Sequence, residues 1–140
     1  MNTDKVIGIL CILIGIGIFM YFQNLQAQKR LEAATRPVKE EIIASHRPRI
    51  ITFSASWCGA CQQLKPVLNK VMENYSQSVD LEIVNLDKKQ NTQNAQMTRM
   101  FGVSAIPATF IFDRQGNLVF KHVGYMEPEE LDKHLRKAVF

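Results

Sequence analysis

The hydrophobic residues of the chain fall into two differently patterned regions. In the first, residues 6–22 are apolar apart from the hydroxyl of Tyr21. A helix of that length spans about 26 Å at about 1.5 Å per residue, which is close to the lower limit for crossing a hydrocarbon core of about 30 Å. We therefore predict that residues 1–24 form an N-terminal membrane anchor with one transmembrane helix.

A cleaved signal peptide is the alternative for this segment. Such peptides have an apolar region of about 7–15 residues followed by small residues at the cleavage site. The apolar run here is longer, and the best cleavage site, after Ala27, has the bulky Leu25 two residues before it. The pattern therefore favours an uncleaved anchor.

Residues 25–48 are predicted to form a helical linker. Apolar residues recur there at roughly helical spacing among charged ones, at Leu25, Leu31, Val38 and Ile42. Because Pro37 lacks the N–H that a helix interior needs, we expect one helix to end near Thr35 and a second to end before Pro48. The segment is interpreted as a spacer whose second half packs on the domain; a partner-binding helix is the alternative.

From residue 49 onward the pattern alternates between strands and helices. Short β-branched and aromatic runs predict four strands, at Arg49–Ser54, Val79–Leu86, Ala108–Phe112 and Leu118–Val123. Apolar residues at helical spacing predict three helices, at Gly59–Tyr75, at Thr92–Phe101 and from Pro128 onward. The order β-α-β-α-β-β-α indicates an α/β domain over residues 49–140, in which a parallel strand pair and a hairpin are covered by helices. Gly102 is placed to end the second helix, and Gly116 can supply a positive φ in the hairpin turn.

Composition and charge narrow the functional classes. The 140 residues carry a net charge of +4, and 46% of them are hydrophobic, which excludes disordered and coiled-coil classes. No segment has the concentrated basic stripe of a nucleic-acid-binding module, so no nucleic acid is expected among the partners. Lys5 precedes the apolar run, which is followed closely by four basic residues, Lys29, Arg30, Arg36 and Lys39. Positive charge alone would therefore retain the domain in the cytoplasm.

The candidate chemistry lies where the first predicted strand meets the first long helix of the domain. Cys58 and Cys61 are the two cysteines of residues 49–140, and their spacing at a helix start allows either a disulfide or two thiols. Cys58 lies at the helix N-terminus, which lowers the pKa of a thiol, whereas Cys61 falls on the buried stripe of the helix. An exposed reactive thiol beside a covered one suits thiol–disulfide exchange.

A structural disulfide and half of a zinc site are the alternatives for this pair. A disulfide that closes so short a loop would constrain the unfolded chain little. A zinc site needs two more ligands, and His46, His122 and His134 lack the spacing of zinc ligands. We therefore expect no metal and no cofactor besides a redox-active Cys58–Cys61 disulfide.

Two segments of the domain carry a family resemblance. The segment SASWCGACQQLKP, residues 54–66, resembles the active-site segment of the thioredoxin family, with Ala60 where the best-known form has proline. Pro66 matches the proline of the family's active-site helix. The segment GVSAIPATFIF, residues 102–112, resembles the family's cis-proline loop, and Gly124 matches the glycine after the last strand. The resemblance implies a thioredoxin fold, with a central mixed four-stranded sheet flanked by helices, preceded by the transmembrane helix.

The resemblance also implies a role for each residue of the site. Cys58 would be the nucleophile and Cys61 the resolving thiol. Pro107, in cis, would present the backbone of Ile106 to an extended substrate peptide. Substrates would be protein thiols and disulfides, and a membrane or soluble thiol would serve as electron donor.

The remaining positions include two departures from the family. Trp57 would shield the site, unless it packs in the core, and Gly59 with Ala60 would form the turn between the cysteines. The family often buries an aspartate where this chain has Thr52, together with a lysine near Ile83. Membrane-tethered extracytoplasmic members commonly lack that aspartate too, so the departures favour that branch.

The resemblance implies a membrane-tethered thiol–disulfide oxidoreductase that reduces disulfides of extracytoplasmic proteins. The absence of histidine between the cysteines and the isoleucine before the cis proline resemble the reducing branch. The domain would face the periplasm from a bacterial inner membrane, against the charge count. The alternatives are a thiol oxidase or isomerase of the same fold, and a metal chaperone or assembly factor with that fold.

Overall fold

The computed structural model describes residues 3–87 and 92–140 and divides into two compact units, one ending at Ala34 and one covering Thr35–Phe140. Helix α1 (Thr3–Ser45) contributes residues to both, and Pro37 lies inside it. The predicted break at Pro37 is therefore wrong. A proline removes one backbone hydrogen bond, but α1 is exposed around Pro37, so that water can replace the lost partner of the free carbonyl.

The first unit contains the apolar segment. Ile7–Arg30 of α1 is long and apolar enough to cross a membrane, and it is the one such stretch within residues 3–87 and 92–140. It overlaps the apolar run predicted over residues 6–22, and its large apolar side chains are exposed in the isolated chain.

The second unit is built on a four-stranded mixed sheet with the order β2-β1-β3-β4. Its strands are β1 (Arg49–Ser54), β2 (Asp80–Asn85), β3 (Ala108–Phe112) and β4 (Leu118–Val123). β1 and β2 are parallel, whereas β3 runs antiparallel to both of its neighbours. The predicted fold class is confirmed, and three of the four strand ranges agree with the prediction, while β2 is shorter.

Three further helices cover the sheet: α2 (Gly59–Met72), α3 (Thr92–Met100) and α4 (Pro128–Val139). α2 ends at Met72 and not at the predicted Tyr75. The Tyr75 N–H donates to the Met72 carbonyl at 3.0 Å in a tighter turn, and the side chain is 8% exposed. The apolar pattern therefore continues beyond the helix because Tyr75 stays in the core.

Alternate residues of the central strands point to opposite faces of the sheet and build two cores. Ile50 and Ile111 belong to the core beneath α2 and α4. The opposite core contains four phenylalanines whose ring centroids lie 5.0–6.2 Å apart, Phe53, Phe101, Phe110 and Phe112. Ile42 of α1 is fully buried in this second core. The compact unit Thr35–Phe140 thus includes the last turns of α1 together with the sheet.

The last turns of α1 are held on the domain by two further contacts. Gly116 turns the β3–β4 hairpin with φ +72°, as predicted, and a Cβ there would lie 2.9 Å from the Cα of Lys39. Arg49 donates two hydrogen bonds to the carboxylate of Glu41, at 2.8 and 2.9 Å, and thereby lowers the pKa of that carboxyl. The end of α1 thus packs on the domain, as predicted for the second half of the linker.

Candidate active site

Cys58 and Cys61 lie at the predicted junction of β1 and α2. The Cys58 N–H donates to the Ala55 carbonyl at 3.3 Å, which turns the chain from strand into helix, and Cys58 is the N-cap residue of α2. The two cysteines form a disulfide, and the Cys61 N–H donates to the Cys58 Sγ at 3.2 Å. Cys61 is 3% exposed, whereas Cys58 is half-buried. One sulfur therefore faces outward while its partner is covered.

The fold brings a distant loop against the outer sulfur. The Ile106–Pro107 peptide bond is cis, as the resemblance implied, and the Ile106 carbonyl oxygen lies 3.6 Å from the Cys58 Sγ. The Gly124 N–H donates to the Pro107 carbonyl at 2.8 Å. The two segments that carry the resemblance are thus neighbours in space.

Trp57 borders a groove on the outer side of the disulfide. Its side chain is 72% exposed, so packing in the core is excluded. The groove measures about 460 Å³, and none of the described residues that line it is charged. Apart from Thr98 and Ser104, the lining is apolar or belongs to the cysteine loop, with Trp57, Cys58, Leu86, Val103, Ala105 and Ile106. A groove of this size and lining can hold an extended peptide segment.

A second cleft, also of about 460 Å³, lies on the inner side of the disulfide. Cys61, Thr52 and Ile83 share its lining, and Thr52 stands opposite Ile83 in the β1–β2 register. Thr52 is 1% exposed, and its Oγ1 lies 3.3 Å from that of Thr109, within hydrogen-bond distance. The two uncharged departures from the family are therefore both beside the buried sulfur.

Three polar residues that the sequence pattern did not single out hold the loop before Cys58. The Ser56 N–H and hydroxyl donate to Asp87 Oδ1 at 2.7 and 3.0 Å, and Gln62 Nε2 donates to the Ser56 carbonyl. The Ser56 N–H is the main cause that holds the pKa of the Asp87 carboxyl below its usual range. The sequence did contain one signal that Ser56 and Asp87 lie close together. Ser56 follows β1 and Asp87 follows β2, and neighbouring parallel strands end at the same edge of a sheet.

The arrangement suits dithiol–disulfide exchange. The Cys58 sulfur borders the outer groove, whereas the Cys61 sulfur is covered.

Comparison with known protein families and sequences gives a consistent result. Residues 37–139 match a family described as a thioredoxin-like domain. The chain is 30% identical over 96 residues to a thioredoxin from Alicyclobacillus acidocaldarius. This match covers 69% of this chain and 86% of that protein. It is 33% identical over 101 residues to thioredoxin 1 from Synechococcus elongatus, again over 69% of this chain and 89% of the relative.

Two further similarities are to part of a longer protein and to a solved structure. The chain is 35% identical over 89 residues to the chloroplastic thioredoxin-like protein HCF164 from Arabidopsis thaliana; the match covers 64% of this chain but only 33% of that longer protein. Among solved structures, a Chlorobium tepidum protein described as a thiol:disulfide interchange protein DsbE superposes with a TM-score of 0.59 at 26% identity. That superposition covers 68% of this chain and 82% of the other.

Proposed function

The chain belongs to the thioredoxin family and is a thiol–disulfide oxidoreductase with a Cys58–Cys61 pair, and on that premise we propose that it is a membrane-anchored reductase of extracytoplasmic proteins. One observation carries the reducing direction. The two residues between the cysteines, Gly59 and Ala60, have no side-chain donor that could stabilise a Cys58 thiolate. The strongest oxidants among thiol–disulfide oxidoreductases have a reduction potential of about −120 mV because their reduced form is stabilised. The absence of such a donor supports the opposite, reducing behaviour of the Cys58–Cys61 pair.

The proposed cycle transfers two electrons to a client disulfide. The Cys58 thiolate attacks one client sulfur, forms a mixed disulfide and releases the other client sulfur as a thiolate. Cys61 then loses its proton and attacks the Cys58 sulfur, which breaks the mixed disulfide and releases the second client thiol. The client is reduced and the Cys58–Cys61 pair is oxidised, so a membrane or soluble thiol donor must reduce the pair again.

Trp57, Ile106 and Pro107 are proposed to bind the client. Ile106 lies against Cys58 across the cis-proline loop, and its main chain can pair with an extended peptide. Gly59 and Ala60 add no charge between the cysteines, and Cys58 caps the N-terminus of α2, the positive end of the helix dipole.

The predicted membrane anchor is an argument for an extracytoplasmic location of the domain. A general cytosolic reductase diffuses to its clients and gains nothing from a tether, whereas a tether keeps an extracytoplasmic reductase beside a donor in the membrane. We therefore place the N-terminus in the cytoplasm and the domain in the periplasm of a bacterial inner membrane, against the charge count.

We predict that the full-length protein stays in the membrane pellet after carbonate washing, because Ile7–Arg30 is apolar enough to span the bilayer. A chain beginning at Thr35 should be soluble and active. Protease added to spheroplasts should digest the domain of the full-length protein. Protection of the domain until the membrane is lysed would contradict the orientation, and a mature N-terminus at Gln28 would show a cleaved signal.

Thr52→Asp should accelerate the second step of the cycle. A carboxylate at this position would lie in the inner cleft beside Cys61 and could accept its proton; we expect a gain of about tenfold, below the roughly 10²–10⁴-fold of an optimised general base. The same change should destabilise the domain by about 1–3 kcal/mol, since it buries an unpaired polar group. Single-turnover reduction of insulin disulfides and urea unfolding measure the two effects.

Thr52→Asn is the matched control for this substitution. It has the shape of aspartate without a carboxylate, so it should lower stability without accelerating resolution. If Thr52→Asp changes neither the resolving rate nor the unfolding midpoint, Thr52 does not act on the environment of Cys61.

A further inference from the structure

The loop that precedes the reactive cysteine is fixed from a neighbouring strand. Ser56 lies two residues before Cys58, and its N–H and hydroxyl both donate to Oδ1 of Asp87, at 2.7 and 3.0 Å. The Asp87 N–H in turn donates to Asn85 Oδ1 at 2.7 Å, which fixes the residue that supplies the carboxylate. The Ser56 carbonyl accepts from Gln62 Nε2 of α2. The main chain at Ser56 is thus bound on both sides.

The position of Ser56 bears directly on the reactive sulfur. Cys58 is held as the N-cap of α2 with its Sγ 3.2 Å from the Cys61 nitrogen and 3.6 Å from the Ile106 carbonyl oxygen. Only Trp57 separates Ser56 from Cys58, so a displacement of Ser56 would also displace Cys58 from its position as the N-cap of α2. Attack on a disulfide requires the three sulfurs to align, and a misplacement of about 1 Å can slow a reaction by about 10²-fold.

The contacts of Asp87 bear more on the conformation of the loop before Cys58 than on the stability of the fold. The carboxylate and Ser56 are both exposed, and hydrogen bonds at exposed positions add little to the stability of a fold. The two hydrogen bonds that Ser56 donates to one carboxylate oxygen instead restrict the conformations of that loop. Among the described residues, those that share the inner cleft with Asp87 and have an ionisable side chain are Lys65 and, once the disulfide is reduced, Cys61.

We infer that Asp87 is a positioning residue for thiol–disulfide exchange: its carboxylate holds Ser56, and through Ser56 it sets the place of the Cys58 sulfur. The inference rests on the exchange activity of the Cys58–Cys61 pair and holds for either direction of electron flow. It assigns to the end of β2 a role in the reaction, although Asp87 does not touch the reacting sulfurs.

The test uses the full-length protein in detergent micelles with insulin disulfides as the probe. Asp87→Ala should slow the first exchange step by about tenfold and raise the pH at which the Cys58 thiolate forms, as followed by its ultraviolet absorbance. Asp87→Asn keeps an acceptor oxygen for Ser56 and should stay within about twofold of the wild type. A rate for Asp87→Asn as low as that of Asp87→Ala would show a charge effect and overturn the inference.

Asp113→Ala is the matched control. Asp113 Oδ1 likewise accepts two loop N–H groups, those of Gln115 and Asn117, at 2.9 and 2.8 Å. It follows β3, which is antiparallel to β1, and so lies at the opposite end of the sheet from Cys58. This variant should leave the exchange rate and the thiolate titration unchanged. Equal effects of the two alanine variants would overturn the inference.

Ser56→Ala provides a second route if Asp87→Ala fails to fold. It removes one of the two hydrogen bonds and should slow exchange by about threefold; an unchanged rate and titration would overturn the inference. A wild-type protein that exchanges disulfides in neither direction would count against the proposed function, whereas an active wild type with unaffected variants would count against the role of Asp87 alone.

Discussion

Cys61→Ser should arrest the reaction at a stable mixed disulfide between Cys58 and its client, whereas Cys58→Ser should neither turn over nor trap any client. The difference follows from burial: Cys58 is half-buried beside the outer groove, while Cys61 is 3% exposed. Without its nucleophile the protein should lose at least about 10³-fold in exchange rate. Non-reducing electrophoresis after acid quenching detects the trapped species, and insulin reduction measures the rate.

Cys11→Ser is the control for the loss of a thiol as such. Cys11 is exposed within the apolar segment of α1 and forms no disulfide, so its replacement should leave trapping and turnover unchanged. Trapping of clients by Cys58→Ser would mean that Cys61 is the attacking sulfur, and the assignment of the two roles would then be reversed.

Ile42→Ala should destabilise the domain by about 2–5 kcal/mol, the range for removing a buried isoleucine from a packed core. Ile42 is 0% exposed and packs in the aromatic core. The adjacent Ile43 is 44% exposed, and Ile43→Ala should change the free energy of unfolding by less than about 1 kcal/mol. Urea unfolding of the chain beginning at Thr35 compares the two variants under identical conditions.

The pair of isoleucines tests where the domain begins. If the two alanine variants are equally stable, the end of α1 does not pack on the sheet and the domain begins at Arg49. A large loss confined to Ile42→Ala means that any shortened form of the protein must retain the last turns of α1.

The local sequence pattern predicted the ranges of three strands correctly, but it did not predict that α1 continues through Pro37. β1, β3 and β4 are short runs of β-branched and aromatic residues with turn-forming residues beside them, so their ends could be read from the sequence. Proline rules predicted a break at Pro37, but the surrounding residues favour a helix and the lost hydrogen bond is exposed to water. The burial of Ile42 depends on aromatic residues distant in the sequence, which no local pattern contains.

The sequence likewise predicted some residues of the candidate site and missed others. Cys58, Cys61 and Pro107 belong to motifs whose residues are close in sequence, and the structure brings these motifs together. Asp87 follows a strand and has the pattern of an ordinary polar loop residue. Its function depends on a hydrogen bond to Ser56 across two parallel strands, and such a contact is visible only once the strand register is known.

The equilibrium redox potential of the Cys58–Cys61 pair is the most direct test of the proposed reductase. Equilibration of the full-length protein with glutathione buffers of known ratio, followed by alkylation and mass measurement, gives this potential. The account predicts a value in the reducing half of the range between about −270 mV for thioredoxin and about −120 mV for the strongest oxidant. A value near or above about −150 mV would contradict it and identify an oxidase or isomerase on the same fold.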